Sequence, residues 1–347
     1  MKSINYIPIS NTLEHPGDRR RFYGFTKKKK LIIENNINKK ADVTVITQMA
    51  DLSQVVTKRE EYKKIIFDFC DGYLNEKLSI KRALRGSYKY LSGNNKFLNL
   101  SYIALLKKAC KTSNAVVCSS HAQMKEIKKY NRNVFVISDI FNDEISVYKN
   151  NYDIRGNFKV VWEGLASNLI HLNSFANILN KLKHKIPIEF HIITDKFEKG
   201  KIVNNISSDK KLKRMFGDFN NIIFHDWYIS SFSRIIADCD LAIIPSNKLH
   251  NDLFEVKSAN KLFILWTIGI PVLASYSIEH DIIDKHTNID FICRDEDDWY
   301  SKIIDYYYSK EKRKLNVHKG LSYIGSNVSE NKIIDKWSSV FSSIGIE

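Results

Sequence analysis

Glu255-Val256-Lys257-Ser258-Ala259-Asn260-Lys261-Leu262-Phe263-Ile264-Leu265-Trp266-Thr267-Ile268-Gly269-Ile270-Pro271-Val272-Leu273-Ala274-Ser275 is the most informative stretch of the chain. It reads as a loop, a helix beginning near Ser258, a stop at Gly269 and a buried strand over Pro271–Ala274. Glycine just past a helix, followed by proline, is an ordinary helix-end signature. The longest apolar run, Leu262 to Ala274, is interrupted by Gly269 and Pro271. It falls short of the ~18–20 apolar residues that span a bilayer. Lys257, Asn260 and Lys261 gather at the helix start. Basic side chains there oppose the helix macrodipole. An anion bound at that point explains a broken local rule better than stability does. The bland alternative is chance in a lysine-rich chain.

Working outward, apolar runs alternate with helical patterns. Strands are expected at Asn5–Ile9, Val43–Thr47, Ile65–Phe69, Ala115–Cys118 and Val134–Ile137. A second set is expected at Lys159–Trp162, Ile188–Thr194, Ile222–Phe224, Leu241–Ile244 and Pro271–Ala274. Short strands separated by helix-length segments imply βαβ units and parallel sheets. Two such sets imply an α/β chain of two doubly wound, Rossmann-like domains. The polar stretch Tyr148–Asn157, with Gly156, reads as the linker. The expected division is therefore 1–150, 157–328 and a C-terminal helix within 329–347. That helix, Glu330–Phe341, carries Ile333, Ile334, Trp337, Val340 and Phe341 on one stripe and needs a surface to cover, the first domain being one candidate.

Composition narrows the function classes. The 347 residues are 44% hydrophobic and 27% charged, enough for sizeable cores. The N-terminus MKSINYIPIS has no apolar signal core. The five cysteines form no CxxC pair, so neither a zinc knuckle nor a thioredoxin-like site is suggested, and a reduced, cytoplasmic setting is expected. A formal charge of +15 favours acidic partners: phosphates, lipid pyrophosphates or an anionic membrane face. Nucleic acid is not expected, because no zinc finger, RRM signature or arginine-aromatic cluster accompanies the charge. The Lys27–Lys30 run reads as a solvated helix face.

Four other segments carry candidate chemistry. His15-Pro16-Gly17-Asp18-Arg19-Arg20-Arg21-Phe22 follows the first strand and opens a helical run. Gly17 permits close backbone geometry, and guanidinium forks suit phosphate. Successive helical residues lie about 100° apart, so Arg19 or Arg20 is the better candidate and Arg21 the lesser. Ile65-Ile66-Phe67-Asp68-Phe69-Cys70-Asp71-Gly72 runs a strand into two carboxylates. Asp68 or Asp71 could take a proton from a sugar hydroxyl, or could simply cap a helix. In Ala115–His121, Ser119 and Ser120 read as helix caps, and no acid partner supports a triad with His121. Val161-Trp162-Glu163-Gly164 ends a strand on a glycine that lets a ligand approach the backbone.

Together these segments resemble the GT-B glycosyltransferases, in particular the large retaining group that builds bacterial surface polysaccharides. The resemblance is strongest over Lys159–Ser275, where Phe224-His225-Asp226-Trp227 leads to a helix ending in Ala237-Asp238 and a strand ending in Pro245. KSANKLFILWTIGIPVLAS is similar to that group's donor-site helix and following strand, and HPGDRRRF to its loop facing the donor phosphates. The resemblance implies two domains facing a cleft, with a nucleotide-sugar donor on the second and a glycan or lipid-linked acceptor on the first. It implies Lys261 at the diphosphate, Gly164 beside it, Trp227 or Tyr228 near the base, and no bound metal or other cofactor. Where such enzymes carry a glutamate for the donor ribose, this chain has Ile264, and Glu255 upstream is the available substitute.

The expected activity is sugar transfer in bacterial surface polysaccharide synthesis. The expected catalytic set is Asp68, Asp71, Arg19 and Lys261. The donor set is Gly17, Arg20, Gly164, Trp227, Tyr228, Glu255, Lys257, Ser258, Asn260 and Lys261. Peripheral contact with an anionic membrane is a further expectation. The alternatives are a GT-B-like polyol-phosphate transferase or epimerase, and a non-catalytic binding subunit of the same fold.

Overall fold

A computed structural model describes residues 2–35, 40–75, 88, 90, 91, 93, 96–98, 101–198, 206–217, 221–246 and 254–346. Six strands form its first sheet: β1 (Ile4–Ile7), β2 (Ile33–Glu34), β3 (Val43–Thr47), β4 (Ile65–Asp68), β5 (Ala115–Cys118) and β6 (Val134–Val136). All pairings are parallel, in the spatial order β2-β1-β3-β4-β5-β6. Every residue of β1, β3, β4 and β5 is buried. Strands covered on both faces read as continuous apolar runs, and β-branched side chains suit the pleat. Ile65 and Phe67 enter one core with Leu52, Val55, Tyr102 and Leu105. Ile66, between them, enters the opposite core with Phe22, Phe25 and Trp337.

That second core is closed by the end of the chain. The helix Glu330–Ser343 buries Ile333, Trp337, Val340 and Phe341 against the first sheet. The Trp337 ring is fully buried, 5.3 Å from Phe22 and 5.9 Å from Phe25 between centroids.

The other sheet follows in the chain. Its strands are β7 (Phe158–Glu163), β8 (Ile188–Thr194), β11 (Ile222–Asp226), β12 (Leu241–Ile244), β13 (Val272–Ser275) and β14 (Ile292–Cys293), with β9 (Phe197–Glu198) and β10 (Ile206–Ser207) forming a separate antiparallel pair. The order is β11-β8-β7-β12-β13-β14, again all parallel. Gly269 ends the helix Asn260–Ile268 at a φ of 93°, a left-handed conformation that glycine accepts without strain.

The chain divides into two compact units, one of residues 1–140, 255–258 and 328–347, the other of 141–254 and 259–327. Tyr148–Asn157, the expected linker, belongs to the second. The Lys149 N–H donates to the Ile268 carbonyl at 2.7 Å and the Tyr152 hydroxyl to that of Gly269 at 3.0 Å. The stretch is polar because it satisfies a helix end. Each sheet has one strand more than the expected five. β2 and β14 span two residues each, too few to display a period. β1 stops at Ile7 because the next N–H groups, of Ile9 and Ser10, turn to the Asp18 carboxylate at 2.7 and 2.9 Å.

Trp337→Ala should lower stability by about 3–5 kcal/mol, the usual cost of truncating a buried aromatic. Urea unfolding measures it, and a change below ~1 kcal/mol would show that the C-terminal helix does not carry this core.

Candidate functional site

In open parallel α/β sheets, ligands bind beyond the carboxyl ends of the strands, where the strand order reverses. In the second sheet the chain moves from β7 outward through β8 to β11, then returns to place β12 on the other side of β7. The reversal point therefore lies beyond Glu163 and Ile244. Gly164 follows β7 directly, and its N–H donates to the Ile193 carbonyl at 3.0 Å. A Cβ added there would meet Trp162 ring atoms at 2.7 and 2.9 Å and the Lys261 Nζ at 3.3 Å. Glycine is thus required for space, beside a lysine.

Lys261 stands in the first turn of the helix Asn260–Ile268. Its ammonium donates to the Glu163 carbonyl, pairs with the Glu163 carboxylate at 2.9 Å and sits 5.7 Å from the Trp162 ring centroid. An ammonium has three donors. Two are occupied by Glu163 and the side chain remains one-third exposed. Around this corner two hydroxyls are buried without a hydrogen-bond partner among the described residues, Thr194 Oγ1 at the end of β8 and Ser246 Oγ beyond β12. Trp227 and Tyr228 follow β11. Trp227 stacks on Phe232 at 5.8 Å, and Tyr228 is exposed, donating its hydroxyl to Asp226 at 3.1 Å.

The remaining donor candidates divide. Asn260 belongs with Lys261 to the second unit, whereas Glu255, Lys257 and Ser258 belong to the first. That turn is tied down by the Ser120 hydroxyl, which donates to the Val256 carbonyl at 2.6 Å. The helix accordingly starts at Asn260 rather than near Ser258, leaving Lys257 before it.

In the first unit the reversal lies between β1 and β3. The Asp18 carboxylate accepts from Ile9 N, Ser10 N and, at 2.6 Å, the Tyr6 hydroxyl, so it anchors the loop after β1 from beneath. Gly17 is required here too, since a Cβ would meet the Ile9 side chain at 2.4 Å. The three arginines part company. Arg19 donates to the Glu14 carbonyl and remains half-exposed, as does Arg20. Arg21 points inward and is 1% exposed.

The destination of Arg21 revises the expected role of Asp68. The guanidinium holds the Asp68 carboxylate at 2.6–3.1 Å through Nε and Nη2, and reaches the Ile137 carbonyl and Asp139 through Nη1. Asp68 is 2% exposed. Burial pushes the Asp68 and Asp139 carboxyls above their ordinary value, and Arg21 pulls both back down. A carboxylate so enclosed has no lone pair facing solvent with which to take a proton from a hydroxyl, so Asp68 is placed as a structural anchor. Asp71, three residues on, is exposed and held by the Gln48 side-chain amide. Gln48 also accepts from the Cys70 and Asp71 N–H groups at 3.0 and 3.2 Å. Asp71 lies near enough to raise the His15 imidazole, whose pKa burial otherwise lowers. Ser120 caps its helix on Gln123 N at 3.1 Å.

Sequence reasoning missed Gln48, Asp18 and Glu163 as site-building residues. For Gln48 and Glu163 the one signal is position at a strand's carboxyl end, directly after β3 and at the last residue of β7.

No family model and no curated protein matches the sequence. Among solved structures, HepE from Anabaena in complex with UDP and glucose superposes over 99% of this chain and 100% of its own, with a TM-score of 0.66 and 12% identity. WaaG, described as a glycosyltransferase involved in lipopolysaccharide biosynthesis, covers 99% of this chain and 100% of its own at a TM-score of 0.60 and 10% identity. The chain has the GT-B fold. TarM of S. aureus covers 86% of this chain at a TM-score of 0.62 and 14% identity, and this chain spans about half (54%) of TarM's length.

Replacing Arg21 by alanine would leave the buried Asp68 carboxylate without its cation, which typically costs about 3–5 kcal/mol. Chemical denaturation of Arg21→Ala should show that loss, and native stability in the variant would remove the anchor role given to Arg21 and Asp68.

Proposed function

We propose that this chain is a glycosyltransferase that moves a sugar from a nucleotide-activated donor, with the donor diphosphate at Gly164 and Lys261. The observation that carries this reading is the placement of a required glycine and a partly exposed ammonium together at the reversal point of a GT-B sheet. Its support from relatives is the company the fold keeps: HepE was crystallised with UDP-glucose and TarM with UDP.

The chemistry follows from the side chains. A sugar leaves a diphosphate as negative charge grows on the bridging oxygen. An ammonium already fixed by Glu163 stabilises that charge without reorganising. Tyr228 offers an exposed ring for the base. In the first unit, Asp71 replaces Asp68 as the carboxylate for an acceptor hydroxyl, with Arg19 and Arg20 as nearby cations. Holding the acceptor hydroxyl on the leaving-group face of the anomeric carbon, the geometry retention needs, accounts for much of the rate. Retention at the anomeric carbon, transfer without a bound metal, and a glycan or lipid-linked acceptor in bacterial surface polysaccharide synthesis complete the reading. Among the described residues no helix is long and apolar enough to cross a membrane. Contact with a lipid-linked acceptor would then be peripheral, aided by the basic charge.

Lys261→Ala should weaken UDP-sugar binding and kcat/KM at least tenfold. Stability should change by less than about 1 kcal/mol, because the Lys261–Glu163 pair is partly exposed. Gly164→Ala should weaken binding as well, because the added methyl clashes with the Trp162 ring and crowds the Lys261 ammonium. Calorimetric titration with UDP-glucose and a thermal melt measure both effects. Full donor affinity in Lys261→Ala would overturn the assignment.

A further inference from the structure

At the opposite edge of the second sheet lies a cavity of about 300 Å³ that the donor reading does not use. Its walls include Lys159 near the start of β7, Asp240 just before β12, and the loop carrying Lys149, Asp153 and Arg155. Gly164 lies at the other end of β7, a rise of about 3.3 Å per residue away. The two places are therefore separated by most of the strand's length.

Charge bookkeeping inside the cavity is uneven. Four cations line it, Lys149, Arg155, Lys159 and Arg234, against three carboxylates, Asp153, Asp238 and Asp240. All three carboxylates are committed. Asp238 pairs with Lys159 at 2.5 Å, and Asp153 pairs with Lys310 from outside the cavity. Asp240 accepts the Lys159 backbone N–H at 2.9 Å and lies 4.0 Å from the Lys149 ammonium. Among the described residues, no ion pair or hydrogen bond engages the guanidinium of Arg155 or of Arg234, and both side chains are exposed. The cavity thus presents two guanidinium forks whose donors no described residue takes up, Arg155 lying near enough to Asp153 to help hold that carboxylate ionised.

The wall is also built rather than loose. Arg313 donates to the Tyr152 carbonyl at 2.8 and 3.2 Å, the Lys149 N–H bonds Ile268, and the Lys149 side chain is 7% exposed. Tyr148 adds an exposed ring at the rim. Guanidinium forks match phosphate oxygens in pairs, and an anchored wall reduces the ordering cost of binding.

We propose that this cavity is a second anion site, taking a small soluble phosphate ester or diphosphate between Arg155 and Arg234, independent of the donor site.

The test uses the full chain and inorganic pyrophosphate, titrated calorimetrically at low salt. The native protein should show a binding event that survives Lys261→Ala. The double variant Arg155→Gln/Arg234→Gln should lose that event, with at least a tenfold drop in affinity, while its melting temperature and UDP-glucose affinity stay native. Arg155→Lys/Arg234→Lys, which keeps charge but not the fork, should recover only part of it. Pyrophosphate binding that is unchanged in the glutamine variant, or that disappears entirely in Lys261→Ala, would overturn the proposal. Sedimentation with phosphatidylglycerol vesicles that is lost in the glutamine variant would move the site to a lipid headgroup and overturn the soluble ligand.

Discussion

Lys261 is held against the end of β7 by both oxygen groups of Glu163, and the geometry of the second unit converges on that contact. A helix that starts with a lysine works against its own dipole. Here the cost is offset by a carboxylate and a carbonyl from a neighbouring strand end, and Gly164 leaves room beside them. The contact exists because the sheet is parallel. Parallel strands need crossover connections, so every strand ends at the same edge and helix starts follow near it. The order reversal beside β7 then sends the connections after β7 and β12 to opposite sides and opens a crevice between them.

The first unit obeys the same rule but uses buried charge differently. Arg21 is a fully buried cation and touches the ends of two segments, Asp68 at the close of β4 and Ile137 with Asp139 after β6. Buried pairs gain little net stability, because desolvation offsets attraction. Their value here is positional. With Asp68 fixed, the backbone that follows reaches Gln48 and Gln123, and Asp71 is presented at the surface.

Much of the fold was legible from local pattern. β3, β5, β8 and β12 occur at the residues where apolar runs placed them, because strands buried on both faces leave an unmistakable run. Two doubly wound domains followed from two such sets, and the GT-B reading from the resemblance of their motifs. The two-residue strands β2 and β14 were illegible, since pairing at that length is decided by neighbours. The site was legible only in part. Residue type drew attention to Lys261, Gly164 and the arginine run, but nothing local distinguishes an inward Arg21 from an outward Arg19. That choice depends on Asp68 and Asp139, 47 and 118 positions away. Glu163 was hidden for the same reason: at the end of an apolar strand a glutamate looks like an ordinary edge residue until the helix arrives beside it.

The most direct measurement is a crystal structure of the chain with UDP bound. The account predicts a diphosphate oxygen within about 3 Å of the Lys261 Nζ, beside Gly164, in keeping with charge-assisted hydrogen bonding. Diphosphate density away from β7, with Lys261 still bonded only to Glu163, would contradict it.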